Sequence, residues 1–393
     1  MANTQKYALV LSGGGFRGAF QAGALQVLQE QWQAITGRDG PMQFDLIAGV
    51  SVGALNGAMT AMNKPEVLQK LWQDVAEHGV EVIYTSDFID TQDRTGELQI
   101  DVDLHTLLQH FLPGIKLNLG RILGLVFSGK KREELNRALR RGIGSFRAIA
   151  DNTPLRNLLE AHLERSAVAP GDFYCGFVSL DSGQFYAHSQ RDFRSDEAFV
   201  NGVLASTVMP IVWEPVSDVQ LQDRAIFQNV DGGLKNVSPL GNLIQIINRS
   251  SEPDEVYTLF ILNCSSGQLG LKRMGSSNVV EIAMRALVDI VLDEIFENDL
   301  REFLRINDLL LQLEEAGLDV RLRDYDFRSK SRGAFLRPFR SVLIQPDAGI
   351  LGDSLTAGQG ATELRIQHGR VKALQAVQAM LNEPPSPYKC IVA

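Results

Sequence analysis

The sequence predicts an α/β fold of three layers, in which a mostly parallel central sheet lies between helices and a helical insertion lies above the sheet. Two observations predict it. An apolar strand, a glycine turn and a helix follow one another over residues 6–32, and the same order repeats over residues 44–62. Alternating strands and helices build parallel sheets that helices cover. The length of 393 residues and the 45 % hydrophobic share suit a large globular core.

The first unit begins with the apolar run "KYALVL" at 6–11, which glycines end. From Ala19 to Trp32 the apolar residues recur at helical spacing, and this spacing predicts the first helix. "FDLIAGV" at 44–50 is a second buried strand, and the small residues at 51–62 continue as a helix. The two units supply the first two strands of the sheet.

Later segments extend the same layers. Residues 79–165 are less regular and predict a helical insertion, whereas the segments after them predict further elements of the core. The predicted elements are helices near 104–111, 131–142 and 154–165, two strands within 172–190, a strand at 256–264, one or two long helices at 279–317 and a strand at 340–346.

Charge limits the classes of partner. The formal charge of −9 argues against nucleic acid, because neutralising phosphates needs a basic face. One segment differs: nine Lys and Arg but only two Glu lie between Lys116 and Arg147. It is either a surface that meets anions or a solvated helix face. The apolar residues at 115–127 beside these charges suit transient contact with a membrane surface.

Cysteine usage and the two ends of the chain indicate the compartment. Cys175, Cys264 and Cys390 are too few and too scattered for a disulfide framework, which fits a reducing compartment. The start lacks the features of a secretory signal, and no stretch approaches the roughly 18 apolar residues of a membrane span. We therefore expect a cytoplasmic protein, soluble or peripheral to a membrane. The last residues, "CIVA", fit the C-a-a-X pattern, so Cys390 is either a prenylation site or part of a plain tail.

The first glycine turn matches a dinucleotide-binding fingerprint only in part. Gly13, Gly15 and Gly18 satisfy G-x-G-x-x-G between a strand and a helix. That fingerprint also needs an acidic residue at the end of the second strand, and Ser51 occupies this end. A Walker loop is excluded because no Gly-Lys-Ser/Thr follows. The amides of the turn, at a helix N-terminus, suit a transient anion such as the oxygen of a tetrahedral intermediate.

Ser51 lies in "GVSVG" at 49–53, a G-x-S-x-G pattern between a buried strand and a helix. Small neighbours there let the backbone turn sharply and present the serine hydroxyl above the sheet. Ser51 is therefore a candidate nucleophile, and the alternative is that it only caps the helix. A nucleophilic serine needs a base. No histidine lies beside the glycine-rich turns, whereas Asp231 precedes two glycines in "NVDGGLKN", as a carboxylate presented from a tight loop or as an ordinary turn.

With these motifs the chain resembles the patatin-like phospholipases, a family of lipid acyl hydrolases. The similar segments occur in family order within residues 5–265. They are "SGGGFRGAFQAGAL" at 12–25, "GVSVGALNG" at 49–57, "ASTVMPIVWEPV" at 205–216 and "DGGLKNVSPL" at 231–240. The resemblance implies a Ser-Asp dyad, with Ser51 as the nucleophile and Asp231 as the base.

The resemblance also implies roles for the loop residues. The oxyanion hole would form around the three consecutive glycines, which are Gly13, Gly14 and Gly15. Arg17 falls at a basic position of the family and either contacts substrate phosphate or braces the loop. Ser206 and Pro210 match an Ala-Ser-x-x-x-Pro segment, for which we expect a structural role. Ser12 departs from the family, where Asp is common, and should alter hydrogen bonding in the loop rather than catalysis.

The activity that the resemblance implies is that of a serine lipid acyl hydrolase, similar to phospholipase A, which cleaves carboxylic esters of phospholipids or related acyl lipids without a cofactor or metal. The catalytic core would extend over 5–265 with the insertion at about 79–165. Residues 266–385 would pack on the same fold, and 386–393 would be a flexible tail. Two alternatives remain. One is an α/β-hydrolase-fold esterase whose triad uses His188 or His368, and the other is a catalytically silent lipid-binding protein.

Overall fold

The computed structural model describes residues 4–87, 147–168, 171–252, 254–268, 285–318, 322–326, 330–355, 357–382 and 390–393, together with residues 271, 275 and 282. Its strands are β1 (Thr4–Leu11), β2 (Leu46–Val50), β3 (Asp172–Ser179), β4 (Phe185–Ser189), β5 (Val216–Gln220), β6 (Ala225–Asp231), β7 (Glu255–Leu262), β8 (Arg323–Asp326), β9 (Ser331–Phe335), β10 (Arg340–Ile344) and β11 (Cys390–Val392). Its α-helices are α1 (Gly18–Glu30), α2 (Trp32–Thr36), α3 (Val52–Ala61), α4 (Pro65–His78), α5 (Thr153–His162), α6 (Asp196–Thr207), α7 (Leu240–Ser250), α8 (Leu292–Glu315) and α9 (Gln359–Asn382).

Nine of the described strands form one sheet. Its order is β11-β10-β7-β1-β2-β3-β6-β5, and β4 also pairs with β3. Every pair from β11 to β3 is parallel, whereas the β3–β4, β3–β6 and β5–β6 pairs are antiparallel. The mostly parallel sheet that the sequence predicts is therefore confirmed. Strands β8 and β9 form a separate antiparallel pair.

Alternate residues of the central strands enter two hydrophobic cores on opposite faces of the sheet. On one face, Leu9 and Leu11 of β1 pack with side chains from α1, α3, α4, α6 and α9. On the other face, Ala8 and Val10 pack with α7 and α8. Burial on both faces explains why β1 is a continuous apolar run rather than an alternating one. The helices and the sheet thus make the three predicted layers.

Strand β3 brings two other strands together at one of its edges. Phe177 pairs with β4 on one edge and with β6 on the other, so β6 lies along the edge that β2 also occupies. Strand β2 runs parallel to β3 and ends at Val50, opposite Gly176. Strand β6 runs antiparallel and ends at Asp231, opposite Phe177. The two strand ends therefore meet head to head, and Ser51 follows the first of them directly.

Helices α1 and α9 touch through their backbones. A Cβ atom on Gly23 would lie 2.0 Å from the carbonyl oxygen of Ile366, and one on Gly369 would lie 2.0 Å from that of Phe20. Both distances are far below van der Waals contact, so only glycine permits this approach. The close contact holds α9 against the helix that follows the glycine turn.

The C-terminal segment differs from the sequence prediction, and most of the predicted insertion lies outside the residues that the structure describes. Residues 390–392, expected in a flexible tail, form strand β11 beside β10, and the N–H of Ala393 donates to the carbonyl of Leu343 at 3.0 Å. The tail prediction followed local prolines and could not include pairing with a distant strand. Of the predicted insertion at about 79–165, residues 88–146, with the helices expected near 104–111 and 131–142, lie outside the described residues, whereas the helix predicted near 154–165 is α5. Within the described part of the chain, no helix is long and apolar enough to span a membrane.

The helix contact generates a stability prediction. Gly369→Ala should lower the free energy of unfolding by about 3 kcal/mol, because the new methyl group meets a rigid backbone carbonyl. Gly241→Ala is the matched control, since this helical glycine of α7 has nothing within 4 Å of an added Cβ. The control should be neutral or stabilising by up to about 1 kcal/mol. Urea unfolding of both variants tests the contact, and equal shifts would contradict it.

Candidate active site

Ser51 lies at a sharp turn between β2 and α3. Its backbone has φ 57° and ψ −132°, a conformation that costs a non-glycine residue about 1–3 kcal/mol. The flanking glycines make the turn possible. A Cβ on Gly49 would lie 2.2 Å from the Gly53 carbonyl oxygen, and a Cβ on Gly53 would lie 2.3 Å from that of Leu11. The G-x-S-x-G pattern therefore forms the strand-to-helix turn that the sequence predicts, with Ser51 at the positive end of α3.

Ser206 supports this turn from α6. The N–H of Ser51 donates to the Ser206 hydroxyl oxygen at 2.9 Å, and the Ser206 hydroxyl donates to the carbonyl oxygen of Gly176. Ser206 is fully buried. It links the strained turn to β3, and this is the structural role expected for it.

Asp231 lies at the end of β6, where its backbone and side chain are both held. Its N–H donates to the Val208 carbonyl at 2.7 Å, and its Oδ1 accepts from the N–H of Gly233 at 2.7 Å. The residue is only 4 % exposed. Burial raises the pKa of Asp231 to about 6, while hydrogen bonds from Ser51 and Gly233 oppose the rise. A carboxyl that accepts a hydrogen bond from Ser51 in such a low-dielectric setting is a stronger base than one in water.

The three glycines of the first turn differ in what their amides do. The N–H of Gly13 donates to the Val237 carbonyl at 2.9 Å, so it is not available to an anion. The amides of Gly14 and Gly15 have no acceptor among the described residues. The expectation that Gly13 supplies a donor is therefore wrong. Gly13 instead gives space, since a Cβ there would lie 3.1 Å from the Cβ of Ser51.

Gly14 and Gly15, which carry the free amides, must be glycines for steric reasons. A Cβ on Gly14 would lie 2.3 Å from the Cβ of Cys264, and one on Gly15 would lie 2.2 Å from the carbonyl oxygen of Ser354. Gly15 also has φ 55°, which side chains rarely adopt. Both amides lie where the turn enters the 3₁₀ turn and α1, so they combine into a positive helix N-terminus.

Ser12 and Arg365 hold the turn from outside it. The Ser12 hydroxyl accepts from the N–H of Cys264 at 2.9 Å and donates to Asn263 Oδ1 at 3.1 Å, so Ser12 bonds the loop to the end of β7. Arg365 of α9 is 1 % exposed and donates to the carbonyls of Leu351 and Asp353 at 2.8 and 2.7 Å. Burial, together with the nearby charge of Arg17, lowers the pKa of the Arg365 guanidinium to about 10.

Arg365 could not be predicted as a site residue from the sequence, because one arginine in a long helix carries no local signal. Its importance depends on segment 351–355, whose Ser354 carbonyl accepts the N–H of Phe16 at 2.8 Å. Arg365 clamps this segment, and the segment in turn clamps the glycine turn. Such a chain of contacts joins residues that are far apart in sequence.

Two cavities meet at Ser51. One is a polar pocket, and the other is an apolar cleft. Ser51, Gly15, Met209 and Ser354 line both. The polar pocket also includes Gly13, Gly14, Arg17, Asp231, Asn263 and Asp293. The cleft includes Leu55, Trp72, Ile83, Leu155, Trp213 and Leu355. A serine between a polar and an apolar cavity suits a substrate with one polar and one hydrocarbon half.

A model of the patatin-like phospholipase family matches residues 9–244. The chain belongs to this family. Membership makes it an ester-bond hydrolase whose general activity is on lipid acyl groups. Among solved structures it is similar to VipD from Legionella pneumophila, at 13 % identity and a TM-score of 0.38, over 96 % of this chain and 67 % of that chain. No curated protein matches the sequence significantly.

Arg17, at the family's basic position, lies in the polar pocket. Its Nε donates to the carbonyl of Gly352 at 2.9 Å. One nitrogen of the guanidinium thus braces the loop, as one of the two expected roles requires. The other role, contact with substrate phosphate, stays a prediction.

No histidine of the described residues lines the polar pocket or the cleft. His188 lies on β4 and stacks on Tyr186, with Asp192 as its charged neighbour at 3.4 Å. His368 of α9 accepts the N–H of Asp347 at 3.0 Å. The hypothesis of a triad through His188 or His368 is therefore wrong, since neither residue lines a cavity that Ser51 lines.

Groups with metal-ligating atoms lie elsewhere in the described structure. Asp74, Glu77 and His78 at the end of α4 place one such atom each within 4.8 Å of one another. Glu77 and His78 are exposed, and none of the three lines the polar pocket or the cleft. That the site uses no metal or cofactor stays a prediction.

The buried carboxyl generates a second stability prediction. The pKa of Asp231 is raised from 3.8 to about 6 in the folded state, so folding favours the protonated form. The protonated carboxyl therefore contributes to the free energy of unfolding. This contribution is complete below pH 3.8 and is lost as the pH rises through about 6. Asp231→Asn removes the titration and keeps the side-chain acceptor. The free energy of unfolding of the variant, relative to that of wild type, should therefore be about 2 kcal/mol higher at pH 8 than at pH 4. Urea unfolding at both pH values measures the gain, and a gain independent of pH would contradict it.

Proposed function

We propose that the chain cleaves carboxylic esters of phospholipids or related acyl lipids through a Ser51–Asp231 dyad. One observation carries the proposal. Two buried strand ends place Ser51 and Asp231 in the same polar pocket, and Ser51 also lines the apolar cleft. Family membership supports the general activity, and this geometry supports the assignment of residues.

In the first step Asp231 takes the proton of the Ser51 hydroxyl while the Ser51 oxygen attacks the carbonyl carbon of the ester. A carboxylate in water is a weak base for an alcohol, but burial raises the pKa of Asp231 to about 6 and direct contact shortens the transfer. The strained backbone of Ser51 keeps the hydroxyl aimed out of the turn. No histidine is needed between the two residues.

The amides of Gly14 and Gly15 supply the oxyanion hole. The ester carbonyl oxygen gains a negative charge in the tetrahedral intermediate, and these amides lack an acceptor among the described residues. The N-terminus of α1 and the cationic Arg17 and Arg365 add positive potential around them. One such donor typically contributes about 10²–10³ in rate.

The two cavities separate the halves of the substrate. We place the acyl chain in the cleft beside Leu55, Leu155 and Trp213, and the alcohol half in the polar pocket. When the intermediate collapses, Asp231 returns its proton to the leaving alcohol and the acyl group stays on Ser51. Water then repeats the sequence: Asp231 takes its proton, the hydroxide attacks the acyl carbon, and the fatty acid leaves as Ser51 regains its proton.

Removal of either member of the dyad should abolish activity. Ser51→Ala and Asp231→Asn should each lower kcat on p-nitrophenyl butyrate by about 10³-fold or more, and the double variant should be no worse than either, because the residues act as one unit. The controls are His188→Asn and His368→Asn, which should keep wild-type rates. Turnover by Asp231→Asn near the wild-type rate would remove Asp231 from the mechanism, and loss of activity in a histidine variant would restore the triad.

The rate should follow the ionisation of Asp231. Only the carboxylate accepts a proton from Ser51, and its pKa lies near 6 in the folded protein. We therefore expect kcat/KM to rise tenfold per pH unit below about pH 6 and to level off above it. Initial rates between pH 4.5 and pH 8, at pH values where the fold is intact, test this. A flat profile would contradict a titrating base.

We also propose that the basic segment between Lys116 and Arg147 gives transient contact with anionic membranes. Of this segment the structure describes Arg147. Its side chain is exposed, and its Nη1 lies 3.5 Å from Oε1 of Glu214. Reversing Lys130, Lys131 and Arg132 to Glu should lower activity on anionic vesicles at least about tenfold, since each basic residue near such a surface adds about 1 kcal/mol of attraction. The loss on a soluble ester should be smaller. Equal losses on both substrates would leave the segment as a solvated face.

A further inference from the structure

We infer that the polar pocket binds a zwitterionic head group, in which a phosphodiester lies beside a protonated or quaternary amine. The inference rests on the proposed function, because the head group belongs to the lipid whose ester Ser51 cleaves. Two opposite charges from distant parts of the chain carry it. Arg17 of the glycine turn and Asp293 of α8 both line the pocket that contains Ser51 and Asp231.

The guanidinium of Arg17 is only partly used by the protein. Its Nε donates to Gly352, but its two Nη amines donate to no group of the described residues. The outer edge of the guanidinium therefore keeps its donors for a ligand in the pocket. A guanidinium edge matches the paired oxygens of a phosphodiester.

Asp293 keeps a free oxygen in the same pocket. Its Oδ1 accepts the hydroxyl of Ser265, and its Oδ2 has no partner among the described residues. It forms no ion pair with a described cation, Arg17 included. The side chain is partly exposed, so a ligand can reach it. An unpaired carboxylate in a pocket attracts a cation.

Charges of opposite sign that share a pocket without pairing are complementary to a ligand that carries both. A zwitterionic head group would place its phosphate at Arg17 and its ammonium at Asp293, so that both protein charges are paired. An anionic head group without an amine would leave Asp293 unpaired and close to negative charge, and a neutral glyceride would leave both charges unpaired. An unsatisfied charge in a partly desolvated pocket disfavours the wrong ligand.

The test compares lipids that differ in the head group alone. The kcat/KM of the full chain is measured on phosphatidylethanolamine and phosphatidylglycerol of the same acyl chains, in uncharged detergent micelles. Wild type should prefer phosphatidylethanolamine. Asp293→Asn should lower that preference about tenfold, the size of one charge-assisted hydrogen bond, and Asp293→Lys should invert it. Asp308→Asn is the matched control, because this exposed carboxylate on the same helix bonds, among the described residues, only to Gln312 at 2.7 Å.

A second measurement needs no variant. Soluble glycerophosphoethanolamine should inhibit hydrolysis of p-nitrophenyl butyrate by wild type about tenfold more strongly than glycerophosphoglycerol does. Equal inhibition, or an unchanged lipid preference in both Asp293 variants, would overturn the head-group site. These outcomes are separate from the proposed function, which is tested by the rates of the Ser51 and Asp231 variants on p-nitrophenyl butyrate.

Discussion

The meeting of β2 and β6 along one edge of β3 is the constraint on which the site depends. Because both strands are paired to β3, the separation of Ser51 and Asp231 is set by sheet register rather than by loops. A slip of one residue would move either group by about 3.3 Å, more than a hydrogen bond tolerates. Gly176 and Gly232 keep the junction narrow, since a Cβ on Gly232 would lie 2.5 Å from the Gly176 carbonyl oxygen.

This junction is costly to the fold. Ser51 has a backbone conformation that favours glycine, and Asp231 carries its charge away from water at neutral pH. Both features are unfavourable for stability and useful for chemistry, a pairing that is common at enzyme sites. The two hydrophobic cores offset the cost, because the strands that carry the site are buried on both faces. The site is thus held by rigid elements, which keeps its donors and acceptors preorganised.

Local patterns predicted the features that depend on neighbours along the chain. The strand-turn-helix units, the turn at Ser51 and the strand pair within 172–190 all follow from periodicity and glycine placement. The two glycines after Asp231 made this residue a candidate, and the family resemblance assigned it the role of base. Contacts between segments that are far apart in the sequence could not be predicted from such local patterns. The Val237 carbonyl occupies the amide of Gly13, and the clamp by Arg365 depends on how α9 packs.

The family match ends at residue 244, but the interlocked part of the described chain continues well past it. One edge of β1 is completed only by β7, and the glycine turn is braced by segment 351–355 and by α9. The part of the described chain that completes the sheet and braces the glycine turn is therefore larger than the matched region. A fragment that ends at residue 244 would leave unpaired the N–H and C=O groups along the edge of β1 that β7 covers, and strands of other molecules stack on such edges. Gene fusions or trimmed expression clones should for this reason keep the chain as far as its last strand.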